Sequence, residues 1–372
     1  MNQEKNGVKA RLWAYYLPQF HCIPENDEWW GKGFTEWTNV RKAKPLFPGH
    51  HQPVEPGELG YYDLVKQPEI RERQAALARE YGIEGFIYWH YWFGNGKMLL
   101  ERPFAEVLKS GKPNFPFALA WANESWRGFW HGLDNERQIL ISQEYPGESD
   151  TIAHFKYVLP AFKDPRYLRI DGKPVFFVYK PRQNPYMAQF LFKWRKLAEE
   201  NNLPGIYFIG IAGSAYGKSA GEEARSSVKG YGFDAVNIIN QFGGYKHIHL
   251  WLEIVRKLFH NRWVNLIPNI LPWDACSLMN DVIGEEDVIP NAMSGWDHTP
   301  RTGIKGRVLV GFTPQKLKDA LTDMISRVEK KTYEKRVITI KSWNEWAEGN
   351  ILEPDKRWGR KILEAVREAV MV

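Results

Sequence analysis

Eight short runs rich in β-branched, aromatic and aliphatic residues recur along the chain, at 10–16, 82–89, 117–121, 175–179, 205–210, 235–239, 288–296 and 337–343. Between them lie stretches of helical character, and this alternation is the signature of repeated βα units. Segments 68–81, 187–201 and 313–330 carry amphipathic helical spacing, the first opening on Pro68-Glu69. Eight strands are what close a (β/α)8 barrel, which takes about 250 residues plus insertions. No internal repeat, low-complexity tract or linker divides the 372 residues. The expectation is therefore an α/β chain forming one (β/α)8 TIM barrel over 1–372, its core at about 9–360, with insertions in the βα loops. An open doubly wound sheet would bring a glycine-rich phosphate loop after its first strand. Here Tyr15-Tyr16-Leu17-Pro18-Gln19-Phe20-His21 follows, without such glycines.

The segment Ser342-Trp343-Asn344-Glu345-Trp346-Ala347-Glu348-Gly349 follows the run Val337-Ile338-Thr339-Ile340 at the end of the last strand. It sets two carboxylates three residues apart beside two tryptophans. In a straight strand such residues face opposite sides, so both reach one pocket only if the chain turns at Trp346 into a loop or a helical first turn, which Gly349 suits. The plainer alternative is a pair of surface glutamates favoured by a helix dipole. Paired carboxyls beside indole rings fit glycosidic-bond chemistry: one moves a proton, another activates the attacking oxygen, and flat rings stack on sugar faces.

A barrel gathers its strand C-termini on one rim, where active sites of this fold lie. These ends are polar and aromatic: Tyr15, Tyr16, Gln19 and His21; Trp89, His90, Tyr91 and Trp92; Trp121, Asn123, Glu124 and Trp126; Asn240 and Gln241; Trp296, Asp297 and His298; and Trp343 to Glu348. Aromatic residues make up 15% of the chain, with 17 tryptophans, many flanked by Asn, Glu or Thr, which suits a wet cleft better than a core.

The net charge of +6 comes from scattered short basic runs with no stripe of interleaved aromatics, so nucleic acid is not an expected partner. Cys22 and Cys276 are too few for a disulfide framework and lack metal-ligand spacing. His21, His50, His90 and His298 stand apart without an HExxH-like motif, and the expectation is no metal and no cofactor. No apolar stretch follows Met1-Asn2-Gln3-Glu4-Lys5 and no run approaches a membrane span, which reads as a cytoplasmic protein.

The stretch from Thr339 through Gly349, with Leu352-Glu353-Pro354 after it, resembles the catalytic segment of glycoside hydrolase family 99. The N-terminal block Trp13 to His21, with Trp29-Trp30-Gly31 and Phe34-Thr35-Glu36-Trp37, is similar to the WbsX-like group, relatives of family 99 that occur in bacterial O-antigen and capsule biosynthesis loci. The likeness runs from about residue 11 to about residue 358 and implies the same barrel. It further implies a retaining, endo-acting enzyme of α-mannoside type working through a 1,2-anhydro sugar. Glu345 would deprotonate the sugar 2-hydroxyl, and Glu348 would protonate the leaving oxygen and then activate the incoming water or acceptor. That chemistry asks for a raised pKa on Glu348 and an ionised Glu345. The blocks around Trp29-Trp30 and Trp89-His90 follow the WbsX-like pattern, which leaves the sugar open.

Around the pair, Tyr15, Glu36, Trp89, His90, Asn123, Glu124, Trp126, Trp296, Asp297, His298 and Asn344 are the expected sugar contacts. Glu124, in Asn123-Glu124, is a candidate for substrate contact or a rim ion pair; Glu36, His90 and His298 are candidates for bonds to sugar hydroxyls. Segment 250–273 reads as a basic amphipathic helix, either an outer barrel helix or an interfacial segment giving weak peripheral membrane association. Three functions are carried forward: a hydrolase acting on an oligosaccharide or polysaccharide, a glycosyltransferase or transglycosylase of polysaccharide biosynthesis, and a non-catalytic sugar binder. Oligomeric state is left open.

Overall fold

The computed structural model describes residues 7–128, 138–213, 220–239, 268–273 and 282–371. Eight parallel strands form a closed barrel: β1 Arg11–Tyr16, β2 Ile83–Trp92, β3 Phe117–Trp121, β4 Lys173–Val178, β5 Tyr207–Gly213, β6 Ala235–Ile239, β7 Val288–Met293 and β8 Val337–Lys341. Each pairs with the next, and β8 closes on β1 with Arg11 opposite Val337. All eight runs read from the sequence become barrel strands. Their largest differences lie at the C-terminal ends, with shifts of two residues at the start of β4 and β5. β2 continues to Trp92 because Tyr91 and Trp92 pair with Leu99 and Met98 of the returning chain. β7 stops at Met293 and β8 at Lys341, where the chain leaves the barrel to build the mouth.

β1, β3, β6, β7 and β8 are buried along their whole length, as expected for strands covered inside by the lumen and outside by helices. The helices among the described residues are α1 Pro24–Trp30, α2 Glu36–Lys42, α3 Glu69–Glu80, α4 Arg102–Ser110, α5 Glu148–Lys163, α6 Met187–Glu200, α7 Ala220–Lys229, α8 Thr299–Thr302, α9 Pro314–Val328 and α10 Lys361–Val370. α3, α6 and α9 are the three read from the sequence. In α9, Pro314 sits in the first turn, Thr313 accepts the Lys316 N–H at 3.2 Å, and Leu317, Leu321, Met324, Ile325 and Val328 form the buried stripe.

The lower end of the barrel is tied by Arg11, whose guanidinium donates to Glu84 at 2.8 and 2.9 Å, while the Trp13 indole donates to the same carboxylate. Higher in the lumen, Asn237 accepts from the Tyr15 hydroxyl at 2.6 Å and donates to Thr339 Oγ1 at 2.9 Å. These buried polar groups satisfy one another and form the floor under the mouth.

Rim residues Asn240 and Gln241 and most of segment 250–273 lie outside the described residues. Its end is a correction to the helical reading: Asn269–Pro272 is a strand in parallel register with Arg307–Val310. Pro268 and Pro272 bracket this stretch and disfavour helix. Among the described residues no helix is long and apolar enough to cross a membrane.

Candidate active site

The octapeptide turns as its spacing requires. Asn344–Glu345 pairs antiparallel with Asn350–Ile351, Trp346–Glu348 makes one 3-10 turn, and Gly349 ends it at φ +64°. The segment is hooked to β1 by the Trp343 N–H donating to the Tyr15 carbonyl at 2.7 Å. Asn344 clamps Leu17 twice, accepting from its N–H at 2.7 Å and donating to its carbonyl at 3.1 Å. From the other side, the Asp297 N–H donates to the Glu348 carbonyl at 2.6 Å. A Cβ on Gly349 would lie 2.8 Å from both the Asp297 nitrogen and its Cβ, so the turn needs glycine for conformation and for space. Gly349→Ala is expected to destabilise the fold by about 1–3 kcal/mol, measured by denaturant unfolding.

Both glutamates come to a single ammonium. Lys341 Nζ lies 3.0 Å from Glu345 Oε2 and 2.9 Å from Glu348 Oε2, and 5.1 Å from the Trp296 ring centroid. Glu345 also accepts from Trp89 Nε1 at 3.0 Å. Glu348 has a second cation, Arg301 Nη1 at 2.5 Å, and Arg301 Nη2 reaches Glu36 at 3.1 Å. Through their common contact with Lys341 the two carboxyls are brought side by side, and the charge of Glu348 bears on Glu345. Burial, reinforced by the Glu348 charge, pushes Glu345 up to about 7. Burial alone would also raise Glu348, but Lys341 and Arg301 outweigh it and hold this group well below the usual carboxylate range. The environments are unequal, as the chemistry asks, but in the opposite sense to the resemblance: Glu348 is held low and Glu345 is pushed up. The reason is two cations on Glu348 against one cation and a neutral indole on Glu345.

The pair opens onto a cleft of about 260 Å³ whose walls include Leu17, Gln19, Trp89, Tyr91, Glu124, Trp126, Tyr179, Lys180, His298, Arg301 and Lys341. Of the expected contacts, Trp89, Glu124, Trp126 and His298 line it together with Glu345 and Glu348. Glu124 is ion-paired with Lys180, and burial raises its pKa against that charge. Burial brings His298 down to about 4, leaving a neutral imidazole at the wall.

The other expected contacts are placed elsewhere. Tyr15 is fully buried beneath the cleft, stacked on Trp89 with centroids 4.9 Å apart. Glu36 is 1% exposed and stands behind Arg301, one charge removed from the cleft. His90 faces away from Trp89 by strand alternation, and its Nε2 meets His154 Nε2 at 2.9 Å. Asn123 spends its amide on Lys180, accepting from the N–H at 2.8 Å and donating to the carbonyl at 2.9 Å. Asp297 accepts from His50 Nε2, Gln52 Nε2 and Thr299 at 2.7, 2.6 and 2.6 Å, and so anchors α8, which carries Arg301. Trp296 supports Lys341, and Asn344 is the clamp on Leu17. Trp343 and Trp346 are 0% and 1% exposed, so the aromatic wall comes from Trp89, Tyr91, Trp126 and Tyr179 instead.

Sequence reasoning missed the three cations. Lys341 was findable, because it lies two residues beyond Thr339 on β8 and therefore shares its lumen-facing side. Lys180 lies just past the end of β4, at the rim where functional groups gather. Arg301 had no local signal. Among the described residues no group of three or more His, Cys, Asp or Glu could hold a metal ion.

A closed parallel (β/α)8 barrel with acidic and aromatic groups at its C-terminal mouth is a TIM-barrel architecture with its candidate site where sites of this fold lie. Two solved structures share it: a "Glycoside hydrolase-like protein" (TM-score 0.58, 15% identity, 100% of this chain and 96% of that one) and the GH99 endo-alpha-mannosidase from Bacteroides thetaiotaomicron (TM-score 0.54, 16% identity, 96% and 95%). At these identities the likeness is one of fold. The family described as "Glycosyltransferase WbsX" matches residues 12–366, and the chain belongs to that family. The "Uncharacterized protein WxcX" of Xanthomonas campestris pv. campestris is 35% identical over 367 residues, 98% of this chain and 50% of the relative, with the same figures in strains ATCC 33913 and B100. The chain thus spans about half the length of the curated relatives it matches.

Proposed function

We propose that the chain is a retaining enzyme acting on glycosidic bonds of a bacterial surface polysaccharide or its precursor, with Glu345 and Glu348 as its proton-moving pair. The observation that carries this reading is the sharing of Lys341 by two buried carboxyls of unequal environment, facing an aromatic-walled cleft. Membership of the WbsX family, the group that the N-terminal blocks resemble, supports the polysaccharide setting.

The chemistry needs one proton for two carboxyls, and Glu345, pushed up to about 7 by burial, supplies it below that pH. Before cleavage the proton passes from Glu345 to Glu348, favoured when a sugar hydroxyl takes Arg301 away from Glu348. Glu345, now ionised, removes the proton of the sugar 2-hydroxyl as that oxygen attacks the anomeric carbon. Glu348 returns its proton to the departing oxygen as the glycosidic bond breaks. Water or an acceptor hydroxyl then opens the anhydro sugar, giving its proton to Glu348 while the 2-oxygen recovers one from Glu345. No sugar ester forms on Glu345, and trapping one would overturn the assignment.

The pH dependence follows from the same proton. Above about 7 Glu345 loses it and both carboxyls are ionised, so kcat/KM should fall about tenfold per pH unit there, from a plateau at lower pH. A pH–rate profile without an alkaline limb near that value would count against the pair.

Transfer to a sugar hydroxyl in place of water uses the same groups, and the family description favours it as a second reading. Incubation with bacterial polysaccharide fragments and with nucleotide sugars, the product anomer being read by NMR, tests both. Activity that needs a nucleotide sugar would sink the hydrolase reading.

A further inference from the structure

Trp343 and Trp346, the two indoles on either side of Glu345, both donate to one carboxylate that lies outside the cleft. Glu353 Oε1 accepts from Trp343 Nε1 at 3.0 Å and from Gln74 Nε2 of α3 at 2.6 Å; its Oε2 accepts from Trp346 Nε1 at 2.6 Å and from the Tyr62 hydroxyl at 2.9 Å. The side chain is 0% exposed. The shell around it continues outward, since Gln74 accepts from the Tyr16 hydroxyl at 2.7 Å and Tyr62 accepts from Asn344 Nδ2 at 3.3 Å. Glu353 thereby ties the turn to the end of β1, to α3 and to the loop at Tyr62.

We propose that Glu353 is the positioning residue of the pair: a third carboxylate whose four accepted bonds hold the Trp343–Glu348 turn so that Glu345 and Glu348 converge on one ammonium. This rests on the reading of those two glutamates as the working pair. The chemistry of the four donors requires this residue type. Two indole N–H groups, an amide and a phenol all donate toward the same point, and a carboxylate is the side chain that accepts four bonds and donates none. Burial pushes Glu353 up to about 7, and these four donors oppose that rise by favouring the ionised form. Glutamine has the same shape, but its NH2 group would face donors on one side. Without the anchor both indoles are free to move, and with them the backbone on each side of Glu345.

The test reads the pair without any glycan. In protein carrying 13C-carboxyl glutamate, with signals assigned through Glu345→Gln and Glu348→Gln, the groups facing Glu345 are Glu348, Lys341 and Arg301, with Tyr15, Tyr91 and Tyr179 nearby. In Glu353→Gln with native near-UV circular dichroism, the Glu345 titration should move down by about one pH unit or more as the carboxyls separate. Trp346→Phe, which removes one donor, should move it less in the same direction. An unmoved titration in folded Glu353→Gln overturns the proposal. Should that variant not fold, an unmoved titration in both Trp343→Phe and Trp346→Phe overturns it. A shifted titration with no turnover of any glycan would count against the function proposed for the pair while supporting this role.

Discussion

Glu348→Gln is expected to lower kcat/KM by about 10²–10⁴-fold on a natural glycoside while leaving the fold intact. The substitution keeps the shape of the side chain and removes the group that must protonate the leaving oxygen. It also leaves Arg301 and Lys341 facing a neutral amide, and Lys341 then stabilises an ionised Glu345, which stays competent as a base. A glycoside of the same sugar whose leaving group needs no proton, such as a fluoride, should therefore release fluoride with Glu348→Gln at close to the wild-type rate in a first turnover, on which the two substrates are compared. The later opening by water stays slow, because Glu348 is its base. Glu345→Gln should lose activity on both substrates, because the base toward the 2-hydroxyl is gone whatever the leaving group. Binding measured by calorimetry should survive in both variants, which separates an enzyme from a sugar binder. Equal losses on fluoride and natural glycoside for Glu348→Gln would exchange or refute the roles.

Lys341→Met should have the largest effect on stability, about 3–5 kcal/mol, because it strips the shared cation from two buried carboxyls. The loss should also depend on pH. Without Lys341 the pKa of Glu345, already raised to about 7, climbs further, and Glu348 loses one of the two cations that hold it low. The folded state then binds protons that the unfolded state releases, and stability falls as pH rises. The gap between variant and wild type should widen from about pH 5 to about pH 8 in chemical denaturation series. A gap that is constant with pH would mean that Lys341 acts by packing alone. The variant should lose turnover as well, since Arg301 by itself still holds Glu348 but no group draws Glu345 toward it.

The charged groups at the mouth come from distant parts of the chain and form one connected array. Glu36 on α2, Arg301 on α8, Glu348 on the final turn, Lys341 on β8 and Glu345 follow one another by ion pairs. Asp297 secures the Arg301 end through His50, Gln52 and Thr299, and Glu353 secures the glutamate end. Lys180, held by Asn123, faces Glu124 on the opposite wall. Several residues expected to touch sugar thus serve those that line the cleft.

Strand number, strand order and the turn at Trp346 were legible in the sequence because they rest on local regularities. Apolar runs mark strands, and two carboxylates three residues apart can share a pocket only across a turn. Proximity to a strand end also placed Trp89, Glu124, Trp126 and His298 correctly on the cleft wall. The same rule failed for His90 and Asn123. Beyond a strand end, alternation no longer says which way a side chain points, and within β2 it sends His90 to His154 while Trp89 faces the cleft.

By itself, then, the sequence determined the barrel and the turn that carries Glu345 and Glu348. The tertiary structure alone decided which cations surround the two glutamates and how unequally they are held. Charge interactions depend on distance and burial through space. Arg301 is 47 residues from Glu348 in the chain yet 2.5 Å away in the fold, and no periodicity along the chain encodes that approach.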